Sequence, residues 1–185
     1  MLEDDLRYAS RVLEDSVVKG VPSFNKWYPP PPSWLKINID AAILRDFGVG
    51  LGWVARDHHG NIVKMGVKRI KASWGADLAE VDAAKVALSH ASKTGWSHVI
   101  LESNALGFIA RLQSGFRGEA YIDILLDDIR SLVPCFRSLM SSHVKRLGNT
   151  VAHLVTRMSA SDVFEQIWST SFPFAVMLLA DLDCQ

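Results

Sequence analysis

From Trp34 onward apolar and polar residues alternate. Leu35, Ile37 and Ile39 fall between Lys36, Asn38 and Asp40, the period of two that predicts a strand with one apolar face. "VGLGWVARD" and "NIVKMGVKRI" follow, separated by the glycine-containing turn "HHG", so three strands in an antiparallel meander are expected. The pattern then changes. Asp77 to Ser92 is alanine-rich and poor in β-branched residues, which predicts a helix ended by Gly95. "HVILES" is a short buried strand entering a helix over Ala105 to Gln113, and a further helix over Glu119 to Val133 is stopped by Pro134. "FRSLMSSHVKR" predicts a last strand, and "NTVAHLVTRMSA" a final helix capped by Asn149. The order β-β-β-α-β-α-α-β-α predicts an α/β fold, a mixed sheet flanked by helices.

Outside this region the patterning differs. Leu2, Leu6, Ala9, Leu13 and Val17 recur at helical spacing, and "YPPPP" at Tyr28 to Pro32 reads as a stiff extended spacer. Residues 1–33 are therefore expected to be an amphipathic helix and a proline-rich linker, residues 34–160 the domain, and residues 161–185 a C-terminal tail. A chain of 185 residues, 49% apolar and 22% charged, suits one globular domain and excludes a disordered chain. No apolar block precedes a small-residue cleavage site, and the longest apolar tract, Phe172 to Ala180, is too short to span a bilayer. An intracellular, non-secreted monomer is expected, with no membrane partner. Cys135 and Cys184 show no metal-ligand spacing. The net charge of zero conceals 16 Lys/Arg against 11 Asp/Glu in residues 33–160, a surplus of +5 that permits a polyanionic partner without requiring one.

Several polar residues could carry chemistry, and each has a structural alternative. Asp40 ends the polar side of the first strand, as either a solvated aspartate or a ligand. Glu80 lies on the helix face of Ala83, Ala84, Ala87 and Ala91, which aims it at the helix-sheet interface; equally, Asp77 and Glu80 have the spacing of a capping box. Asn104 stands where a strand meets a helix, a favoured N-cap position. His153 sits among Val151, Ala152, Leu154 and Val155, the setting of a partly buried, satisfied histidine. Gly48, Gly50 and Gly52 do not open a helix and so are no dinucleotide cradle. Glycines at this spacing leave room on one strand face for a helix or another backbone.

Taken together, "WLKINIDAA", "GLGWVARDHHGNIV", "AEVDAAKVAL", "VILESNAL" and "HVKRLGNTVAHLV" resemble, in register, the ribonuclease H-type domain of plant proteins and retroelement reverse transcriptases, over about Trp34 to Ala160. The resemblance implies a ribonuclease H-like fold with a five-stranded mixed sheet of strand order 3-2-1-4-5. It also implies RNA paired to DNA as the partner, and Mg²⁺ or Mn²⁺ as the cofactor. Two such ions, about 4 Å apart, activate water and stabilise the leaving oxygen of a phosphodiester, and acidic oxygens hold them together. By the resemblance Asp40, Glu80, Asn104 and His153 are the catalytic positions, the first three of them metal ligands.

The chain departs from that pattern in ways that bear on activity. The family usually writes Glu-Ser-Asp where this chain has Glu102-Ser103-Asn104; the amide keeps an oxygen but loses the charge. Position 153, often Asp, is His, as in many plant-type members, and imidazole is a poor Mg²⁺ ligand. The connection Lys145 to Asn149 is shorter than the histidine-bearing loop of bacterial members, and no basic helical insertion is present. Nucleic-acid grip is expected from Arg45, Arg56, Lys145, Arg146 and Asn149, as weak, salt-sensitive binding. The functions expected are metal-dependent endonucleolytic hydrolysis of RNA in RNA–DNA hybrids, weakened by Asn104 and His153; an inactive nucleic-acid-binding module derived from a retroelement; or a protein-interaction domain.

Overall fold

The computed structural model describes residues 18–44, 48–115, 118, 120–160 and 164–184. The helix expected over Leu2 to Val17 and the binding residue Arg45 lie outside them. Among these residues seven strands form one sheet: β1 (Lys19–Phe24), β2 (Leu35–Leu44), β3 (Gly48–Arg56), β4 (Ile62–Ile70), β5 (His98–Ser103), β6 (Ser138–Val144) and β7 (Glu165–Trp168). Among the described residues five α-helices accompany them: α1 (Ala76–Thr94), α2 (Leu106–Ser114), α3 (Tyr121–Leu132), α4 (Thr150–Arg157) and α5 (Phe174–Asp183). The sheet runs β1-β6-β5-β2-β3-β4-β7. Its middle five strands are the predicted meander and strand-helix-strand section in the expected order, antiparallel across β2-β3-β4 and parallel across β2-β5-β6.

The two outer strands come from segments that sequence patterning puts in the linker and the tail. β1 pairs parallel to β6, and β7 pairs antiparallel to β4. Both are short, and "KGVPSF" carries the glycine and proline that an edge position tolerates because one row of its backbone groups needs no partner. Just before the proline run the chain is also tied down, since Trp27 is 2% exposed. In the tail, Val176 and Ala180 of α5 pack with Val151, Ala152 and Val155 of α4 over Val54, Met65 and Val67.

Helices α1, α2 and α3 cover one face of the sheet, and α4 and α5 the other. The alternation of β2 sorts its residues between these layers. Ile37 and Ile39 pack with Ala79, Ala83, Ala84, Ala87 and Ala91 of α1, whose small side chains let the helix lie close. Asn38 and Asp40 point beneath α4, and both are buried. The glycines of β3 allow that cover: a Cβ on Gly52 would stand 2.6 Å from the Cα of Thr156, and one on Gly50 would collide with Ser159. The expected close approach of a helix at these glycines is thus what the fold contains.

The caps differ from the sequence expectations. α1 starts after Gly75 with no side-chain cap, so Asp77 and Glu80 form no capping box; its end at Gly95, φ +78°, is as expected. α2 starts after Ala105, whose N–H donates to Ser103 Oγ at 3.1 Å, leaving Asn104 free of capping. Asn149 does precede α4, but its side chain caps nothing because it is engaged elsewhere.

Candidate nucleic-acid interface and polar cleft

Where β2 splays from β5, a cleft of about 190 Å³ opens, lined by Asp40, Ala41, Glu80, Asn104, Arg146, Asn149 and His153. Four elements supply its chemistry. β2 carries Asp40, the first turns of α1 carry Glu80, the end of β5 delivers Asn104, and α4 with the turn before it brings Arg146, Asn149 and His153. All four catalytic positions implied by the sequence resemblance therefore meet in one place.

Their environments are unequal. Asp40 is 6% exposed, and its Oδ2 lies 3.0 Å from His153 Nδ1. Burial raises the Asp40 carboxyl above the ordinary carboxylate value, against the opposing pull of His153 and Arg146. Glu80, 8% exposed, accepts a hydrogen bond from Ser103 Oγ at 3.2 Å. Burial first, then the neighbouring Asp40 charge, push it up from 4.5 to about 8, so without a counter-charge it holds a proton at neutral pH. Asn104 is half-buried, and its Oδ1 accepts from Asn149 Nδ2 at 2.7 Å. His153, which also lines the cleft, is half-buried.

A pair of divalent cations does not fit these residues. Such a site needs several hard, negatively charged oxygens. Here one of two carboxylates is paired with an imidazole, and position 104 supplies an uncharged amide oxygen that already accepts from Asn149, which leaves fewer anionic oxygens than two ions require. Among the described residues, no three His, Cys, Asp or Glu side chains are grouped so as to hold a metal ion.

Behind the cleft lies a polar network that the sequence reading missed. Lys36 Nζ is 3.0 Å from Glu102 Oε1, with both side chains almost wholly buried. Asn38 Nδ2 donates to Glu102 Oε2 at 2.8 Å, and Asn38 Oδ1 accepts from Trp27 Nε1 at 3.0 Å and Arg56 Nη2 at 3.3 Å. Arg56 also pairs with Asp183 of α5 at 3.0 Å and lies 3.7 Å from the centre of the Trp27 ring. A strand reading "KINID" suggests a solvated polar face. What makes that face interior is the long-range arrival of Trp27, α4 and α5, for which the glycines of β3 were the available signal.

This network corrects two of the expected nucleic-acid contacts. Arg56 is fully buried and neutralised by Asp183, and Asn149 is 2% exposed, so neither offers a group to a strand lying on the surface. Lys145 and Arg146 are exposed in the turn between β6 and α4, beside the cleft, with Leu147 next to them. His143 on β6 is a strand residue whose Nδ1 is 2.7 Å from Ser23 Oγ of β1.

Comparison with known proteins agrees with this architecture. RNase H1 from the halophilic archaeon Halobacterium salinarum NRC-1 superposes with a TM-score of 0.63 at 23% identity, covering 70% of this chain and 99% of that one. LC11-RNase H1 in complex with an RNA/DNA hybrid gives 0.60 at 20%, covering 67% and 94%. The N-terminal RNase H domain of a Mycobacterium tuberculosis protein gives 0.60 at 18%, covering 68% and 92%. These likenesses establish a ribonuclease H fold. No curated protein matches the chain by sequence. The reverse transcriptase-like family matches residues 38–159, from Asn38 in β2 to Ser159 just past α4 and so across every residue of the cleft, and the chain belongs to that family.

Proposed function

We propose that this protein is a ribonuclease H-type nucleic-acid-binding domain that takes RNA paired to DNA, and that it turns over the RNA strand weakly or not at all. The observation that carries this reading is the cleft itself. It keeps the four-cornered layout of a hydrolytic site, with Lys145 and Arg146 exposed at its edge, while two corners are an amide and an imidazole. LC11-RNase H1, of the same fold, is described with an RNA/DNA hybrid, which supports that ligand class. Among the described residues few exposed cations adjoin the cleft, so binding is weak and electrostatic, with a salt slope set by that small number of phosphate contacts.

A second reading, an active hybrid ribonuclease, is favoured by one observation. Asp40 and Glu80 are close enough for the first charge to raise the second, and a divalent cation would relieve that repulsion. A labelled RNA–DNA hybrid incubated with the full chain in Mg²⁺ and in Mn²⁺, with Asp40→Ala as control, decides between them. Salt-sensitive binding without cleavage is expected. Cleavage that Asp40→Ala abolishes would establish the enzyme, and absence of any hybrid binding would remove both readings in favour of a protein-interaction domain.

A further inference from the structure

The hydrogen bonds behind the cleft run in one direction. Trp27 Nε1 and Arg56 Nη2 both donate to Asn38 Oδ1, which turns the Asn38 amide nitrogen toward Glu102 Oε2 at 2.8 Å and Asn149 Oδ1 at 3.2 Å. With its oxygen so occupied, Asn149 presents Nδ2 to the other side, donating to the Ile39 carbonyl at 2.8 Å and to Asn104 Oδ1 at 2.7 Å. A primary amide has one oxygen and one NH₂, so each bond fixes the orientation of the next. At the end of the relay Asn104 has its oxygen turned inward, and Nδ2 is the end left to the cleft it lines with Asp40, Glu80, Arg146 and His153. Asn38 is fully buried and Asn149 nearly so. Reversing the Asn104 amide would set two NH₂ groups against each other at 2.7 Å and leave a buried donor without an acceptor.

We propose that Asn149 is a positioning residue that fixes Asn104 as a hydrogen-bond donor toward the cleft, so that this domain engages nucleic acid without a divalent cation bridging to position 104. The relay has a second consequence. Asn149 Nδ2 complements a carboxylate oxygen as well as an amide oxygen, so Asn104→Asp keeps the inward bond and adds a third carboxylate to Asp40 and Glu80. The chain stands one substitution away from a cation-binding cleft. The inference rests on the proposed function only for the identity of its ligand, because cation binding is measured without nucleic acid.

Free Mn²⁺ is followed by electron paramagnetic resonance as it is titrated with the full chain and with the Asn104→Ala and Asn104→Asp variants, each checked for native circular dichroism. Native protein and Asn104→Ala are expected to bind Mn²⁺ equally within threefold, and Asn104→Asp at least tenfold more tightly. Native protein binding more than threefold tighter than Asn104→Ala would show that the amide supplies an oxygen and would overturn the inference, as would an Asn104→Asp variant that gains nothing. Asn149→Ala frees the amide to turn its oxygen outward, so folded Asn149→Ala binds Mn²⁺ more tightly than native protein, a gain that a merely structural role would not produce. If that variant does not fold, the Asn104→Ala comparison reads the same orientation without it. Hybrid affinity, by fluorescence anisotropy, is expected to be equal in EDTA and in Mg²⁺ at matched ionic strength. Binding seen only with Mg²⁺ overturns the inference, whereas no binding in either buffer overturns the proposed function and leaves the Mn²⁺ series to stand or fall separately.

Discussion

Replacing Glu80 by Gln removes a buried ionisable group while keeping an acceptor for Ser103 Oγ, which isolates the cost of charging this position. The folded carboxyl titrates at about 8 against 4.5 when unfolded. Because the folded value is the raised one, the folded chain holds this proton more tightly than the unfolded chain does. Stability is therefore full below about pH 4.5, declines as the unfolded state releases its proton, and levels off above about 8. At about 1.36 kcal/mol per pH unit the loss approaches a ceiling on the order of 5 kcal/mol. Asp40, raised by burial, adds in the same direction, while His90, lowered by burial, acts oppositely, so the quantity to read is a difference between two proteins. Urea unfolding of the native chain and Glu80→Gln between pH 5 and pH 9 should show the native protein losing at least about 2 kcal/mol more than the variant. Parallel stability curves would mean that Glu80 is solvated in the folded state, and the electrostatic account of the cleft would fail.

Gly52→Ala should destabilise the fold by about 2 kcal/mol or more in the same assay, since the new Cβ meets the backbone of α4 at Thr156, which cannot move without uncovering β3. Arg56→Met leaves Asp183 and Asn38 without their buried cation and should cost on the order of 3 kcal/mol, yet leave the hybrid affinity of the folded protein unchanged. A loss of affinity there would return Arg56 to the binding surface. Arg146→Ala should behave oppositely, leaving stability within about 0.5 kcal/mol of native and weakening hybrid binding, with the slope of log affinity against log salt reduced by about 1. An unchanged salt slope would place the nucleic acid elsewhere.

How far the site could be read from sequence depended on whether its determinants were local. The alternation of β2, the alanine face of α1 and the glycines of β3 are each written within a dozen residues, and each correctly anticipated an element or a close approach. The four corners of the cleft were legible because they recur in a fixed order along elements that could themselves be read. What was not legible is pairwise and distant. Lys36, Asn38 and Arg56 look like a solvated strand face until Trp27, 11 residues before Asn38, and Asp183, 127 residues after Arg56, close over them. The same distinction separates the two asparagines from their propensities. Asn104 and Asn149 both stand where a helix begins, so cap preference accounts for each alone, and neither caps. Their shared bond, across 45 residues of sequence, satisfies both amides at once, leaving the helix starts to be met by Ser103 and by the backbone. A residue's identity at a helix start is thus weak evidence for its role when a second amide can reach it, and the donor-acceptor order of the relay decides what position 104 shows to a ligand.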